Sequence, residues 1–402
     1  MINLEIPCRL QRVASQTHQV AAEFLRPQSR AYDRAVDEYP KELDLLASVV
    51  DGHDDSGQSS GAGASGVRRS SGTDAAVRNG ANLSSALSIM EMCWGDVGLL
   101  LSMPRQGLGN AAIASVADDE QRERFRGLWA GMAITEPGAG SDSAAITTTA
   151  RRDGDSYVLD GEKIYVTAGG RCDAVVVWAT LDRSKGRAAI KSFVVEKGTP
   201  GMVVERLDHK LGIRASDTAT ITFTDCRVPA ENLLGRPEVD GKAGFGAVMQ
   251  TFDNTRPLVA AMAVGCARAA LEVTRELLTE AGIEVDYDRP SALQPAAAAS
   301  FLAMEADWEA AYLLTLQAAW MADNGKPNSL QASMAKAKAG RTGNAVTLRC
   351  VELAGSVGYS EHDLLEKWSR DSKILDIFEG TQQIQQLIVA RRLLGLSSAQ
   401  LK

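Results

Sequence analysis

The apolar residues of this chain change their period twice. Up to about residue 127 they recur at helical spacing, as in Leu10, Val13, Val20 with Ala21, and Phe24 with Leu25. Further helices are expected at Leu83 to Trp94 and Gly107 to Val116, and Asp118-Asp119-Glu120 supplies an acidic first turn for another. From about Leu128 to Val239 the period falls to two. Ser156 to Asp160, Lys163 to Thr167, Asp173 to Thr180, Ile190 to Glu196 and Ala219 to Thr224 read as strands, separated by turns such as Asp153-Gly154, Asp160-Gly161 and Gly169-Gly170. No helical pattern lies between these strands, which excludes a parallel βαβ sheet and leaves a small antiparallel sandwich or barrel. From Gly244 the helical period returns in four long stretches: Phe245 to Ala281, Ala297 to Asp323, Ser329 to Ala354 and Ile374 to Leu394, enough for a four-helix bundle. The expected fold is α+β and mainly α, with a helical domain over 1–127, a β domain over 128–240 and a helical bundle over 241–402. Eleven of the 17 positions from Ser56 to Gly72 are Gly or Ser, so a mobile loop is expected over 52–73.

Composition narrows the chemistry by exclusion. The net charge is −8, which gives no reason to expect nucleic acid or an anionic membrane as partner. The longest apolar run, Leu258 to Ala267, is too short to span a bilayer. The six cysteines form no close pair and the four histidines no ligand spacing, so neither a disulfide framework nor a metal site is expected. With no signal-peptide pattern at the N-terminus, the expected compartment is the reducing cytoplasm.

Two strings carry more information. In Ile134-Thr135-Glu136-Pro137-Gly138-Ala139-Gly140-Ser141-Asp142, the glycines let backbone amides approach a ligand, and Thr135 and Ser141 offer hydroxyl donors. A plain Gly-rich turn is the competing reading for the bare G-x-G. In Lys163-Ile164-Tyr165-Val166-Thr167-Ala168-Gly169-Gly170, Tyr165 and Thr167 are two residues apart and on a strand would share a face. That suits a ring packed on an isoalloxazine with a hydroxyl near flavin N5; a half-buried strand-end tyrosine is the alternative.

With these strings the sequence resembles the acyl-CoA dehydrogenase family over nearly its whole length. Further blocks are Ser216-Asp217-Thr218, Val228-Pro229-x-x-Asn232-Leu233-Leu234-Gly235, Phe252-Asp253-Asn254-Thr255-Arg256-Pro257, Arg370-Asp371-x-Lys373, and Ile377 through Gln385 with its Phe-Glu-Gly-Thr string. The family usually has Trp where Tyr165 stands. The resemblance implies FAD-dependent oxidation of an acyl-CoA to the trans-2-enoyl-CoA, with electrons passing to electron-transferring flavoprotein. It implies Glu379 as the base, in a mostly apolar pocket that raises its pKa. The bland reading of a lone Glu at a helix start is a charge favoured by the helix dipole. Some family members carry the base near position 255; here that residue is Thr255. The resemblance also implies FAD contacts from Thr135, Gly140, Ser141, Tyr165, Thr167, Thr381 and Gln383. Acyl-CoA contacts would come from Ser141, Asp253, Arg256, Glu379 and Gly380, with Arg256 meeting the anionic CoA moiety or else forming a surface ion pair. Ile89 to Met103 and the long helix are expected to line part of the acyl pocket, with Trp94 either capping it or lying in the core.

The family pattern breaks in two places. In family tetramers a neighbouring subunit lends an Arg-x-x-Phe-Gly string and a Gln-x-x-Gly-Gly-x-Gly-Tyr string to each FAD. Here the first is absent, with Asp286 to Pro295 in its region, and the second reads Glu352-Leu353-Ala354-Gly355-Ser356-Val357-Gly358-Tyr359. One reading is drift within a working homotetramer. The sharper reading is a heterotetramer, in which a related chain completes this chain's flavin site. A non-catalytic half-site subunit and an acyl-CoA oxidase are the remaining alternatives.

Overall fold

A computed structural model describes residues 6–36, 38–53, 80–105, 107–239, 244–397 and 400, with backbone alone over 49–53 and 244–254. The expected mobile loop lies outside the described residues except for Gly52 and His53, which end a helix. Among the described residues seven α-helices come first: α1 Cys8–Val20, α2 Ser29–Arg34, α3 Glu42–His53, α4 Ala81–Gly95, α5 Val97–Leu101, α6 Leu108–Val116 and α7 Asp119–Arg124. The acidic turn forms as expected: Asp118 Oδ1 accepts from Gln121 N at 2.9 Å, and the Gln121 side chain returns a bond to Asp118 N.

The β region is one seven-stranded sheet in the order β1-β4-β2-β3-β7-β6, with β5 paired to β4. Its strands are β1 Ala130–Ala133, β2 Thr149–Asp153, β3 Ser156–Thr167, β4 Ala174–Thr180, β5 Ile190–Glu196, β6 Met202–Leu207 and β7 Thr218–Pro229. Three details differ from the sequence reading. The sheet is mixed: β1 runs parallel to β4, and β2 meets β4 through a single parallel pair. The β2–β3 hairpin rather than a helix connects β1 to β4, so the period gave no sign of a parallel pair. The expected turn at Asp160-Gly161 is a bulge inside one long β3, opposite β7. Gly161 has φ +154°, and a Cβ there would sit 2.4 Å from Thr148 Oγ1. Finally, β2 and β6 escaped the period test because each is solvent-exposed along most of its length.

Five helices follow: α8 Gly244–Glu280, α9 Ala296–Asp323, α10 Ser329–Tyr359, α11 Leu365–Leu375 and α12 Gln382–Leu394. The fourth expected bundle helix, 374–394, is therefore two helices with a break across 376–381. The part of α8 from Thr255 to Glu280 is long and apolar enough to cross a membrane, and 83% of its most apolar window is buried in the protein. Met90 and Ile89 of α4 belong to the same core as Ala260, Val264 and Ala267 of α8, Phe301 of α9 and Ala335 of α10. The N-terminal and C-terminal helices thus bury one common core. Gly265 permits the α4–α8 contact, because a Cβ there would fall 2.1 Å from Met90 O. The sheet has its own core around Leu159, Val175, Phe193 and Ile221.

The sheet is tied to the bundle at α11. Ile213 N, between β6 and β7, donates to Asp371 Oδ1 at 2.5 Å, and Gly212 lies against the Arg370 backbone too closely for any Cβ. Lys367 Nζ bonds Asp96 Oδ2 at 2.7 Å and also reaches Asp371, while Arg370 bonds Asp33 and Glu366. The Arg370-Asp371 block is thereby a docking device between N-terminal helices, sheet and bundle. Trp94 is a core residue: its ring lies 4.3 Å from that of His18 at a 48° tilt, sits under Arg26 and donates to Glu272 at 2.5 Å.

Candidate active site

Glu379 occupies the break between α11 and α12. Its φ is +56° and that of Gly380 is +93°, a left-handed pair that no helix can contain. For a glutamate this backbone costs about 1–3 kcal/mol, and such strain persists only where surrounding contacts over-determine it. Gln385 Nε2 donates to the carbonyls of both Glu379 and Gly380 at 3.1 Å. Lys336 Nζ of α10 donates to the Gly380 carbonyl at 2.8 Å. Thr381 closes the turn as N-cap of α12, its Oγ1 accepting from Ile384 N at 3.4 Å.

The Glu379 side chain points to α8, where Thr255 Oγ1 donates to its Oε2 at 2.8 Å. Burial pushes its carboxyl above the ordinary glutamate value, against the opposing pull of Thr255, Lys336 and Arg256. The raised pKa matches the expectation from sequence. Arg256 is buried in α8 beside Ser333 Oγ at 3.5 Å, and its charge acts on Glu379 and Lys336. Its burial excludes the surface ion pair. The side chain of Asp253 lies outside the described residues.

The second cluster is on the sheet. The 135–142 loop doubles back through a Glu136–Ala139 bridge and leaves Gly140 and Ser141 exposed, with Thr135 half-buried. Glu136 anchors it in a way the sequence reading missed. Its carboxylate accepts from Thr147 N and Oγ1, Thr148 N and Oγ1, and Lys163 Nζ at 2.6–2.9 Å. Burial opposes the Glu136 charge, but the Lys163 ammonium and these donors outweigh it and bring its pKa to about 2. Lys163 has fewer compensating groups, Glu136 and the Ile134 carbonyl, so burial wins there and lowers it to about 8. The signal was present in the sequence: a lysine at an inward position of a strand needs a buried partner.

Tyr165 follows in a bulge of β3, with φ +58°, and its side chain is 65% exposed. Thr167, half-exposed, pairs with Thr218 of β7, and Ala168 is again left-handed at φ +60°. Ile164 N donates to Thr135 O at 2.9 Å, which makes loop and bulge one unit. A bare ring on a strained bulge, beside a loop whose Gly138 and Gly140 have open space around them, fits a large planar ligand. On the helical side, Oε1 of both Gln382 and Gln385 is buried without a partner among the described residues. Gln383 is exposed on the first turn of α12. The 208–217 segment runs from the α11 docking contact to Thr218, the strand partner of Thr167.

The structure thus joins Thr255, Arg256, Lys336, Glu379 and Gly380 in one group and Thr135, Gly140, Ser141, Tyr165 and Thr167 in another. A cavity of about 310 Å³ between α1, α4, α8 and α9, beside Glu91 and Arg268, is separate from both. Where the family pattern breaks, Glu352 forms an ion pair with Arg349, Gly355 kinks α10 at φ +59°, and Tyr359 is 82% exposed.

Comparison with known proteins agrees with these features. Residues 131–226 match the acyl-CoA dehydrogenase middle domain and residues 242–394 the acyl-CoA dehydrogenase C-terminal domain. The bovine mitochondrial short-chain specific acyl-CoA dehydrogenase is 41% identical over 263 residues, 65% of this chain; the match spans 62% of the bovine protein's length. Cyclohex-1-ene-1-carbonyl-CoA dehydrogenase of Geobacter metallireducens is 38% identical over 294 residues, covering 71% of this chain and 76% of that protein. Butyryl-CoA dehydrogenase of Megasphaera elsdenii superposes with a TM-score of 0.83 at 29% identity, over 98% of this chain and 100% of that one. The chain belongs to the acyl-CoA dehydrogenase family, whose members depend on FAD.

Proposed function

We propose that this protein oxidises an acyl-CoA thioester to the trans-2-enoyl-CoA with FAD as cofactor. The observation that carries the reading is Glu379: a carboxylate of raised pKa, held in a strained turn by its neighbours and bonded to a neutral hydroxyl. A base for a carbon acid needs that combination of basicity and fixed aim. In the proposed reaction Glu379 takes the α proton, and the electrons of that C–H bond become the new C=C bond as the β hydrogen departs as hydride. The bound FAD supplies the acceptor for that hydride. Thr255 orients the carboxylate through its Oε2. Arg256 supplies positive charge behind it and so favours the ionised, proton-accepting form.

Tyr165 and Thr167 would hold the flavin ring, with Thr135, Gly140 and Ser141 along the sheet and Thr381 and Gln383 from α12. Thr381 Oγ1 already accepts from Ile384 N and retains its proton to donate. Ser141, Asp253 and Gly380 are assigned to the acyl-CoA. Electron-transferring flavoprotein would be the final electron acceptor, and the assembly a cytoplasmic tetramer. Short or cyclic acyl thioesters are the first substrates to try, because similar chains act on butyryl, short-chain and cyclohexene-carboxyl thioesters.

The reading is tested by supplying two saturated thioesters, butyryl-CoA and cyclohexanecarbonyl-CoA, with an artificial electron acceptor and following the products. Formation of an α,β-unsaturated thioester supports it; unchanged thioester across a range of acyl lengths, with FAD bound, contradicts it. Oxygen consumption in place of acceptor reduction would indicate an oxidase. The heteromeric reading rests on the two altered strings, the absent Arg-x-x-Phe-Gly and Glu352 in place of a neutral glutamine, although Arg349 pairs with Glu352.

A further inference from the structure

We propose that Lys336 is a positioning residue for Glu379, fixing the carbonyl beside it and keeping a positive charge behind its carboxylate; the inference rests on Glu379 being the base. Ser333, Lys336, Ala337 and Gly340 lie on one face of α10, spaced by three, one and three residues, and this face abuts both α8 and the 376–381 turn. Ser333 Oγ accepts from Arg256, Lys336 Nζ donates to Gly380 O at 2.8 Å, and Ala337 O accepts from Gln382 Nε2 at 2.8 Å. Gly340 lets the turn approach, since a Cβ there would lie 2.7 Å from Leu375 O. A lysine in the middle of this face is 1% exposed.

Burying an ammonium is unfavourable unless something compensates. Burial lowers the Lys336 pKa to about 8; Asp376 and Glu379 hold it up and Arg256 opposes them. As an ammonium, Lys336 favours the ionised form of Glu379 and opposes the effect of burial on that carboxyl. Among the described residues, the charged groups that act on Glu379 are Lys336 from α10 and Arg256 from α8; Asp376 of its own turn acts on Lys336, and α12 presents the uncharged Gln385. A carbonyl alone could be satisfied by an amide, as Gln385 does for the same oxygen. The lysine adds charge, which lowers the cost of ionising the base in a buried site.

The two roles separate in variants of the FAD-loaded protein, assayed with butyryl-CoA and an artificial acceptor across pH. Lys336→Gln keeps a donor without charge. It should move the acid limb of kcat/KM upward by about one pH unit, a roughly tenfold loss on that limb, with the high-pH plateau retained. Lys336→Met loses both and should also lower the plateau. Lys336→Arg should restore the limb. FAD content and Tm, measured on each, report the merely structural contribution, which leaves the limb where it was. An unshifted limb in Lys336→Gln and Lys336→Met at normal FAD content overturns the proposal. Should those two fail to fold, Lys336→Arg decides: a wild-type limb supports it and an upward-shifted limb overturns it. A Glu379→Gln control that keeps its turnover overturns the base assignment itself, whatever the lysine variants show.

Discussion

At the residue scale, this protein keeps three buried cations next to chemistry or its supports: Lys163, Arg256 and Lys336. Each has a different relation to its carboxylate. Lys163 bonds Glu136 directly, while Arg256 and Lys336 act on Glu379 through space. Glu136→Gln would leave the Lys163 ammonium buried beside a neutral amide, an expected loss of about 3–5 kcal/mol, measurable by denaturant unfolding. The native pH dependence follows from the same pair. The folded pKa of Glu136, about 2, is below its unfolded value, so its stabilisation is present above about pH 4.5 and disappears as pH falls toward 2. The variant should lose this component and unfold with a flatter dependence on pH between 5 and 2. An equal slope in both proteins would show that Glu136 is not the titrating group.

At the scale of elements, the long amphipathic stretches were legible and the interruptions were not. The helices Ala81–Gly95, Ala296–Asp323 and Ser329–Tyr359 follow from apolar spacing, because their cores are continuous. The break at 376–381 was invisible to that spacing: Ile377 and Phe378 continue the apolar pattern, and only Gly380 hints that the helix stops. Glu379 itself was legible through its string. Its support by Thr255, Lys336 and Gln385 was not, because those contacts join residues 124, 43 and 6 positions apart. The bulge that turns Tyr165 outward was likewise hidden in an ordinary strand pattern. A substitution at Gly380 tests the break. Gly380→Ala puts a Cβ 2.5 Å from Gln385 Nε2 in a backbone of φ +93°. It should displace that amide, cost about 1–3 kcal/mol and lower turnover more than FAD content. Wild-type Tm and turnover would show that the turn relaxes freely.

At the scale of the whole molecule, one core runs through both helical regions while the sheet keeps its own, and α11 holds the two together. The Glu379 turn follows α11 directly in the chain. Whether a single chain type completes the proposed active site is a question of stoichiometry. Losing one charge-assisted contact to the cofactor costs roughly 1.5–3 kcal/mol, one to two decades in affinity. The isolated chain is expected to purify largely colourless, and co-expression with a related chain should give about one FAD per heterodimer. A yellow homotetramer with one FAD per subunit would remove the heteromeric reading and leave the proposed chemistry intact. The chemistry itself is tested most directly by anaerobic mixing of the FAD-loaded protein with butyryl-CoA while the flavin absorbance is followed. The wild type should bleach in a single turnover, and Glu379→Gln, at equal FAD content, should bleach at least about 10²-fold more slowly. Bleaching of the variant at more than a tenth of the wild-type rate would contradict the assignment of Glu379 as the base.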